Sequence, residues 1–331
     1  MYEKFYGLIE KPFTLLPDPS FLFLGMKHSS AFAALEYGLV SQAGFTVVTG
    51  EVGSGKTTLV RHLLNQLEDD ITVGLVSSSH RDMGEILQWV LLAFGLDYRE
   101  KEKIGLHDLF TQFLIEQYAA NKCTVLIIDE AQNLQVNVLE ELRLLSNINA
   151  DKHQVLQIIL VGQPQLREIL KQKELLQFQQ RISIDYHLTA LDEEETRVYI
   201  FHRTRLAGGT KPLFTRNAST LIYNASGGIP RIINTLCDTA LVYGFADQKL
   251  LLDSALVTKM LEDKAATGSS GSETDNAAVL SQKVPTLSGD SKFAGQLQSQ
   301  ETLESQKKNT RVTDFNRETA KLLFKKYYSE K

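Results

Sequence analysis

Eight residues near the start of the chain have the types and spacing of a phosphate-binding loop. Residues 50–57 read GEVGSGKT and match the pattern G-x-x-x-x-G-K-S/T. The glycines let the backbone curl around phosphate groups, and the N–H groups that open the next helix point at the anion. Lys56 would neutralise phosphate charge, and Thr57 would offer its hydroxyl to Mg²⁺. The predicted nucleotide-binding residues of this segment are Gly50, Glu51, Val52, Gly53, Ser54, Gly55, Lys56, Thr57 and Thr58.

Two adjacent carboxylates, Asp129 and Glu130, follow an apolar run at residues 124–128. In open α/β sheets, ligands collect at the carboxyl ends of the strands, where this pair would lie. We expect Asp129 to hold Mg²⁺ through its water shell and Glu130 to polarise the attacking water as a general base. The alternative, an acidic strand end that starts a loop, is disfavoured because a phosphate loop lies about 70 residues upstream.

The elements that must position these residues alternate between residues 45 and 188. The apolar runs are continuous, which indicates strands covered on both faces and therefore a parallel sheet flanked by helices. The predicted strands are 45–49, 72–77, 124–128, 155–161 and 182–187, and the predicted helices are 56–67, 83–94, 106–120, 136–147 and 164–171.

The remaining segments differ in composition. Prolines in the Pro/aromatic opening forbid a regular element before a helix at 28–42. The region after the sheet has no strand signal, and its predicted helices are 193–207, 215–225, 229–245 and 253–261. The predicted divisions are a Pro/aromatic segment with its helix at 1–44, an α/β domain at 45–190, a small all-helical lid domain at 191–264, a disordered flexible linker at 265–312 and a basic amphipathic helix at 313–331.

The last predicted helix carries Ala320, Leu323, Phe324 and Tyr327 on one face. From Lys307 onward, eight Lys/Arg stand against three Asp/Glu. Such a helix can dock on an anionic membrane surface or on a partner protein. The alternative is a solvated or weakly docked tail, which we slightly favour because the helix is short.

Bulk composition excludes several classes of protein. The formal charge of −5 argues against a protein that coats nucleic acid, although local patches could still bind it. The histidines and the two cysteines form no metal-ligand spacing, and the N-terminus has no apolar signal region. No apolar run approaches the roughly 18 residues of a membrane helix. We therefore expect a cytoplasmic protein, with peripheral attachment to the inner membrane left open.

The loop and the acidic strand end together resemble the Walker A and Walker B motifs of AAA+ ATPases. The resemblance implies ATP and Mg²⁺ as ligands, and it assigns roles to three more residues. Gln163 follows the 155–161 strand, where the family places a polar sensor, although Asn or Thr is more usual there and a turn residue before Pro164 is the alternative. Arg231, in Gly227-Gly-Ile-Pro-Arg231, resembles the sensor of the lid, against an exposed Arg that caps a loop.

Arg181, just before the last strand, stands where the family keeps an arginine finger that reaches the nucleotide of a neighbouring subunit. We favour Arg181 over Arg167, the competing candidate. The alternative is a surface Arg or one that binds a carboxylate such as Glu174.

The opening of the chain, together with DEAQNL at 129–134, VGQPQL at 161–166 and QRI at 180–182, resembles the general secretion pathway protein A (ExeA/GspA) family over residues 1–263. LEYGL at 35–39 and QAGF at 42–45 are similar to ATPases of exosortase-linked exopolysaccharide export systems. Secretion-pathway members continue into a membrane helix and a periplasmic peptidoglycan-binding domain, whereas this chain ends in a linker and a basic helix. Direct binding to the cell wall is therefore not expected.

The resemblance implies an ATP hydrolase that drives conformational work in an envelope export or assembly system, in secretion or exopolysaccharide biosynthesis. It also implies self-assembly into a homo-oligomeric ring and contact with envelope machinery at the cytoplasmic face of the inner membrane. One alternative is a DNA-acting AAA+ regulator of the TniB/TnsC transposition-ATPase type, which would make nucleic acid a partner. Another is a nucleotide-gated scaffold that hardly turns over.

Overall fold

A parallel β-sheet forms the centre of the molecule. A computed structural model of the protein describes residues 1–16, 18–67, 70–77, 85–99, 101–150 and 153–268. Within these residues the main sheet has five strands in the order β2-β3-β6-β1-β7, and a two-stranded antiparallel ribbon pairs β4 with β5. The strands are β1 (Phe45–Gly50), β2 (Ile71–Ser77), β3 (Cys123–Asp129), β4 (Asn149–Ala150), β5 (His153–Gln154), β6 (Leu156–Gly162) and β7 (Ile182–Leu188).

Helices cover both faces of this sheet. Alternate residues of the central strands point to opposite faces, so Leu126 and Ile128 of β3 pack in one core while Val125 and Ile127 pack in the other. The helices of the α/β part are α2 (Met26–Val40), α3 (Lys56–Leu64), α4 (Ile86–Ala93), α5 (Lys103–Ala119), α6 (Val136–Leu145), α7 (Pro164–Leu170) and α8 (Leu176–Gln179). Helices α2 and α3 lie on one face, and the first core, on the other face, contains residues of α4 to α8. The predicted parallel sheet with flanking helices is confirmed.

The strand order brings the carboxyl ends of three strands, β1, β3 and β6, close together. Strand β6 lies between β1 and β3, and all three run parallel. Neighbouring strands lie about 4.8 Å apart, so the carboxyl ends of β1 and β3 are separated by roughly 10 Å. Gly50, Asp129 and Gly162 therefore end their strands at one edge of the sheet.

A second group of helices follows the sheet and packs around its own core. It consists of α9 (Glu193–Leu206), α10 (Arg216–Ser226), α11 (Pro230–Ala246) and α12 (Ser254–Gly268). Helix α9 begins with a capping box, in which Asp192 accepts from the N–H of Glu195 and the Glu195 side chain accepts from the N–H of Asp192. We call these four helices the lid. The predicted limits of the domains stay a prediction.

The N-terminal segment packs with the lid. Tyr2, Tyr6, Phe13 and Phe21 are buried in the same core as α9 to α12. The hydroxyl of Tyr6 lies 3.1 Å from the backbone oxygen of Leu241, to which it donates a hydrogen bond. These aromatic side chains therefore supply part of the apolar surface that the lid buries.

The expectation that prolines forbid regular structure before the helix at 28–42 is wrong. A short helix, α1 (Glu3–Tyr6), ends before the first proline, Pro12. A 3₁₀ turn covers Pro19–Phe21, because proline is tolerated at the first position of a helix, where its missing N–H has no partner to lose. Helix α2 also begins earlier than predicted, at Met26.

The chain crosses between the α/β part and the lid twice, at residues 22–25 and again at 189–192. Lys27 joins the two crossings. Its ammonium group donates to the backbone oxygen of Ala190 at 2.6 Å and forms an ion pair with Glu195 of α9 at 2.8 Å. The lid is thus connected to the sheet by two chain segments, which Lys27 joins.

One difference concerns the end of the described chain. Helix α12 continues to Gly268, past the predicted start of the linker at residue 265, because Lys264, Ala265 and Ala266 are good helix formers. The predicted basic helix at 313–331 lies outside the described residues. Among the described residues, no helix combines the length and apolar composition needed to cross a membrane.

Candidate active site

The predicted phosphate loop connects β1 to α3 with a backbone that requires glycine. Gly53 and Gly55 adopt φ values of 80° and 99°, in the left-handed region. A Cβ on Gly50 would come within 2.6 Å of the backbone oxygen of Leu188, and one on Gly53 within 2.4 Å of the Cβ of Arg231. Leu188 and the lid therefore approach the loop closely where it carries no side chain. This glycine-rich loop, which we call the cradle, fits an anionic group bound by backbone N–H donors.

Lys56 folds back over this loop. Its Nζ donates to the backbone oxygens of Gly50 at 2.8 Å and of Glu51 at 2.9 Å, and its side chain is buried. Burial lowers the pKa of Lys56, and the charges of Glu130, Asp129 and Glu51 oppose that effect. A buried ammonium group held only by carbonyl oxygens is suited to bind an anion that enters the cradle.

Thr57 and Asp129, the two residues predicted to hold Mg²⁺, are in direct contact. The hydroxyl of Thr57 donates to Oδ2 of Asp129 at 2.9 Å. The other carboxylate oxygen, Oδ1, accepts from the backbone N–H of Glu130 at 2.9 Å. A hydroxyl and a carboxylate are hard oxygen donors of the kind Mg²⁺ prefers, so the residues fit that ion.

Glu130 lies at the junction of β3 and the 3₁₀ turn Ala131–Asn133, with φ 56° and ψ 36°. Its Oε2 accepts hydrogen bonds from two amide side chains, that of Gln132 at 2.6 Å and that of Gln163 at 3.2 Å. Gln163, the predicted sensor residue, therefore lies within hydrogen-bonding distance of the predicted base. Sequence reasoning assigned no role to Gln132, for which the only signal is an amide two residues beyond a carboxylate at a strand end.

Arg231 approaches the loop from the lid. It lies in the first turn of α11, directly after Pro230, and its backbone N–H donates to the backbone oxygen of Gly53 at 3.1 Å. The lid and the phosphate loop thus meet at this point, where the sequence predicted a residue that senses nucleotide.

A cavity of about 330 Å³ lies between the loop, the strand ends, the N-terminal segment and the lid. This volume is in the range of sites for small ligands. Residues 52–58, Glu130, Gln163 and Arg231 line it, and the N-terminal segment and the lid complete it, for example with Leu15, Phe23 and Asn234. Gly50 and Glu51 contribute to the site through the backbone oxygens that accept hydrogen bonds from Lys56. Asp129 contributes through the hydrogen bond that it accepts from Thr57.

His28 is a further residue at the loop that sequence reasoning missed. Its Nε2 lies 2.9 Å from the backbone oxygen of Ser54, which can only accept, so Nε2 carries the proton. Its Nδ1 is buried without a hydrogen-bond partner among the described residues. Burial lowers the pKa of His28, which keeps the ring neutral at pH 7. No sequence signal marks a histidine 26 residues before its partner.

Arg181 and Arg167 lie away from this cavity. Arg181 precedes β7 and so lies at the amino end of that strand, whereas the cavity lies at the carboxyl ends of the strands. Its guanidinium donates to the hydroxyl of Ser146 at 3.1 Å. The alternative expectation, that Arg181 binds Glu174, is therefore wrong, because the hydroxyl of Ser146 at the end of α6 accepts the hydrogen bond instead. Arg167 forms a partly exposed ion pair with Asp185 at 2.8 Å. Within the described residues, no cluster of His, Cys, Asp and Glu could hold a metal ion on its own.

The chain matches a protein family and a curated relative. Residues 39–170 match the family described as an AAA domain. The chain is 40% identical over 247 residues to general secretion pathway protein A of Aeromonas hydrophila, a match that covers 74% of this chain and 45% of that protein. The chain thus spans less than half the length of the relative it matches.

Solved structures share the fold at low identity. The Aeropyrum pernix ORC2 protein in its ADPNP-ADP complexes aligns with a TM-score of 0.54 and 19% identity, over 73% of this chain and 68% of that chain. The Aeropyrum pernix ORC1 protein in complex with DNA aligns with a TM-score of 0.55 and 13% identity, over 77% and 69%. At these identities the likeness concerns the fold alone.

The buried ring of His28 predicts a specific loss of stability in acid. The unfolded chain takes up a proton on this ring near pH 6.5, whereas the folded chain does so only at lower pH. The stabilising contribution is therefore complete above about pH 6.5 and is lost as the pH falls toward the lower pKa of the folded state. His28→Gln keeps an N–H donor but removes the titration, so its melting temperature should fall less between about pH 8 and about pH 5 than that of the wild type.

Thermal unfolding monitored by circular dichroism across this range checks the prediction. His62→Gln is the comparison variant. Burial also lowers the pKa of His62, but this side chain is more exposed, so its removal should reduce the fall in melting temperature less than His28→Gln does. Parallel pH profiles for the wild type and His28→Gln would show that the proton on His28 is not linked to folding.

Proposed function

The chain carries an AAA domain and is related to general secretion pathway protein A, and from this premise we propose that it binds ATP with Mg²⁺ and hydrolyses it to drive conformational work. The main support is the meeting of a lysine-bearing anion cradle with two strand-end carboxylates at one cavity. Lys56 lies in the cradle, Asp129 contacts Thr57, and Glu130 lines the same cavity. The three ionic groups suit a single Mg²⁺–triphosphate.

The proposed reaction is transfer of the γ-phosphoryl group of ATP to water. The water oxygen forms a bond to the γ-phosphorus, the bond from that phosphorus to the bridging oxygen breaks, and the products are ADP and inorganic phosphate. Glu130 accepts the proton that the water loses. Lys56 and the N–H groups of the loop stabilise the negative charge of the phosphates. Mg²⁺, when held by Thr57 and Asp129, would supply further charge neutralisation.

The angle of the lid would depend on whether the bound nucleotide carries a γ-phosphate. Arg231 would contact the γ-phosphate, and its backbone already bonds to Gly53 of the loop. The lid is connected through two chain crossings joined by Lys27, an arrangement that favours rotation about a defined axis. Loss of the γ-phosphate would then change the lid angle, which is the conformational work that we propose.

Arg181 would complete the site of a neighbouring subunit. Its strand has seven residues and spans roughly 20 Å, so Arg181 cannot reach the cavity of its own chain at the other end of that strand. If Arg181 acts on phosphates, it must therefore act on those bound to another copy of the chain. We infer a homo-oligomeric ring in which turnover depends on assembly.

The biological role that we propose is to energise an envelope export or assembly system, in secretion or exopolysaccharide biosynthesis. It rests on the relation to general secretion pathway protein A, of which this chain spans 45%. The protein would act at the cytoplasmic face of the inner membrane through partner proteins. The binding of partner proteins and the handling of a cargo are part of this proposal.

The assignment of Lys56 and Glu130 predicts two different defects. Lys56→Ala removes the buried charge that faces the phosphates, so ATP affinity should fall by about 100-fold or more. Glu130→Gln keeps the shape of the side chain but cannot take up a proton, so ATP should bind normally while turnover falls by about 100-fold or more. Equilibrium binding of a fluorescent ATP analogue and multiple-turnover phosphate release measure the two effects.

Lys122→Ala, which removes an exposed lysine, is the control and should behave as wild type. Normal ATP affinity in Lys56→Ala would contradict the assignment of the loop. Unchanged turnover in Glu130→Gln would remove Glu130 as the base.

Action of Arg181 across a subunit boundary predicts complementation between two inactive variants. Arg181→Ala should bind ATP but lose turnover by about 1,000-fold. A mixture with Glu130→Gln should regain part of the activity, because some sites then combine an intact Glu130 with an intact Arg181 from the neighbour. Phosphate release measured against mixing ratio tests this. Arg167→Ala should stay active alone, and the reverse pattern for the two arginines would transfer the finger to Arg167.

A further inference from the structure

Gln132 connects the candidate base to the neighbouring strand end. From its contacts, and resting on the proposed function, we infer that Gln132 is a positioning residue that holds Glu130 with one carboxylate oxygen anchored and the other turned to water. The residue is half-buried on the 3₁₀ turn that follows β3. It reaches across to the end of β6, which lies beside β3 in the sheet.

The orientation of the Gln132 amide follows from its two partners. Its Oε1 accepts from the backbone N–H of Gln163 at 2.9 Å, and its Nε2 donates to Oε2 of Glu130 at 2.6 Å. A backbone N–H can only donate and an ionised carboxylate can only accept, so exchanging the two ends of the amide would break both bonds. Gln132 is thus a directional bridge from a rigid strand end to the carboxylate.

The space for this bridge depends on Gly162, the last residue of β6. A Cβ at that position would lie 3.0 Å from Oε1 of Gln132 and 2.9 Å from the side chain of Leu166. Contacts this close are tighter than ordinary packing allows, so a larger residue would force the amide to move. The absence of a side chain at Gly162 therefore leaves room for the Gln132 amide in this position.

The backbone of Glu130 provides an independent indication of constraint. Glu130 is a non-glycine residue in the left-handed region, a strained conformation that persists only where its surroundings over-determine it. Here the N–H of Glu130 bonds to the side chain of Asp129 while its own carboxylate is held by amides. Both ends of the residue are fixed, which sets the direction of its side chain toward the cavity.

The two amides share one carboxylate oxygen. Gln132 and Gln163 both donate to Oε2 of Glu130, which leaves Oε1 as the oxygen that would accept a proton from water. A base must be aligned with the proton that it removes, and small errors of position reduce the rate strongly. Gln132 would therefore act on turnover through Glu130, without contact to the nucleotide.

Two variants at position 132 separate the two ends of the bridge. Gln132→Met keeps the length of the side chain and removes both hydrogen bonds. Gln132→Glu keeps an acceptor for the N–H of Gln163 but replaces the donor that serves Glu130. Gln135→Met is the matched control, because it makes the same change at an exposed position three residues away.

Both variants at position 132 should lower kcat by about tenfold or more, with KM and the Kd for ATP within about twofold of the wild type. Hydrogen exchange of the Gln163 amide, measured without nucleotide, should accelerate in Gln132→Met and stay near wild type in Gln132→Glu. In a Glu130→Gln background, Gln132→Met should cause no further loss of turnover.

Wild-type kcat in a folded Gln132→Glu protein would overturn the inference, and so would an additional loss of turnover in the double variant. Gln132→Glu decides the matter if Gln132→Met unfolds, because it retains the anchor to β6. Failure of the proposed function gives a different result, namely normal turnover in Glu130→Gln alone. The two failures are therefore distinguishable.

Discussion

The position of β6 between β1 and β3 is the constraint on which the site depends. Because these strands are parallel, their carboxyl ends meet at one edge of the sheet and only about 10 Å separates the outer two. The phosphate loop leaves β1 and the acidic pair ends β3, so Lys56 and Asp129 face the same volume. The end of β6 fills the space between them and supplies Gln163. An order that placed further strands between β1 and β3 would separate the charges that must meet one nucleotide.

The lid encloses this edge with help from the N-terminal segment. Phe13 and Phe21 are buried among the lid helices, while α2, only a few residues later, packs on the sheet. The chain therefore passes from the lid to the sheet and back again, and Lys27 connects the two crossings. A lid with one connection can twist freely, whereas two connections restrict it to rotation about a hinge. This restriction would convert a local change at Gly53 into a defined movement.

Sequence reasoning predicted the groups that lie in contiguous motifs. Lys56 and Thr57 lie in one loop, and the apolar pattern of the buried strand indicates that Asp129 lies at its end. Gln132 and His28 were missed because their partners lie 31 and 26 residues away, and the contacts arise only once strands and helices are packed. The N-terminal helix is not predicted by the sequence pattern, because prolines that follow it disfavour regular structure in the segment as a whole. Hydrophobic pattern shows that aromatic side chains are buried but does not show which core buries them.

The central claim is that the lysine cradle and the acidic strand end hold a single metal–triphosphate. A crystal structure with ADPNP and Mg²⁺ tests it most directly. The account predicts the terminal phosphates within hydrogen-bonding distance of Nζ of Lys56, and one metal ion that lies beside the hydroxyl of Thr57 and the carboxylate of Asp129. Phosphates bound elsewhere, or a Thr57–Asp129 hydrogen bond that persists with no metal beside it, would contradict the account.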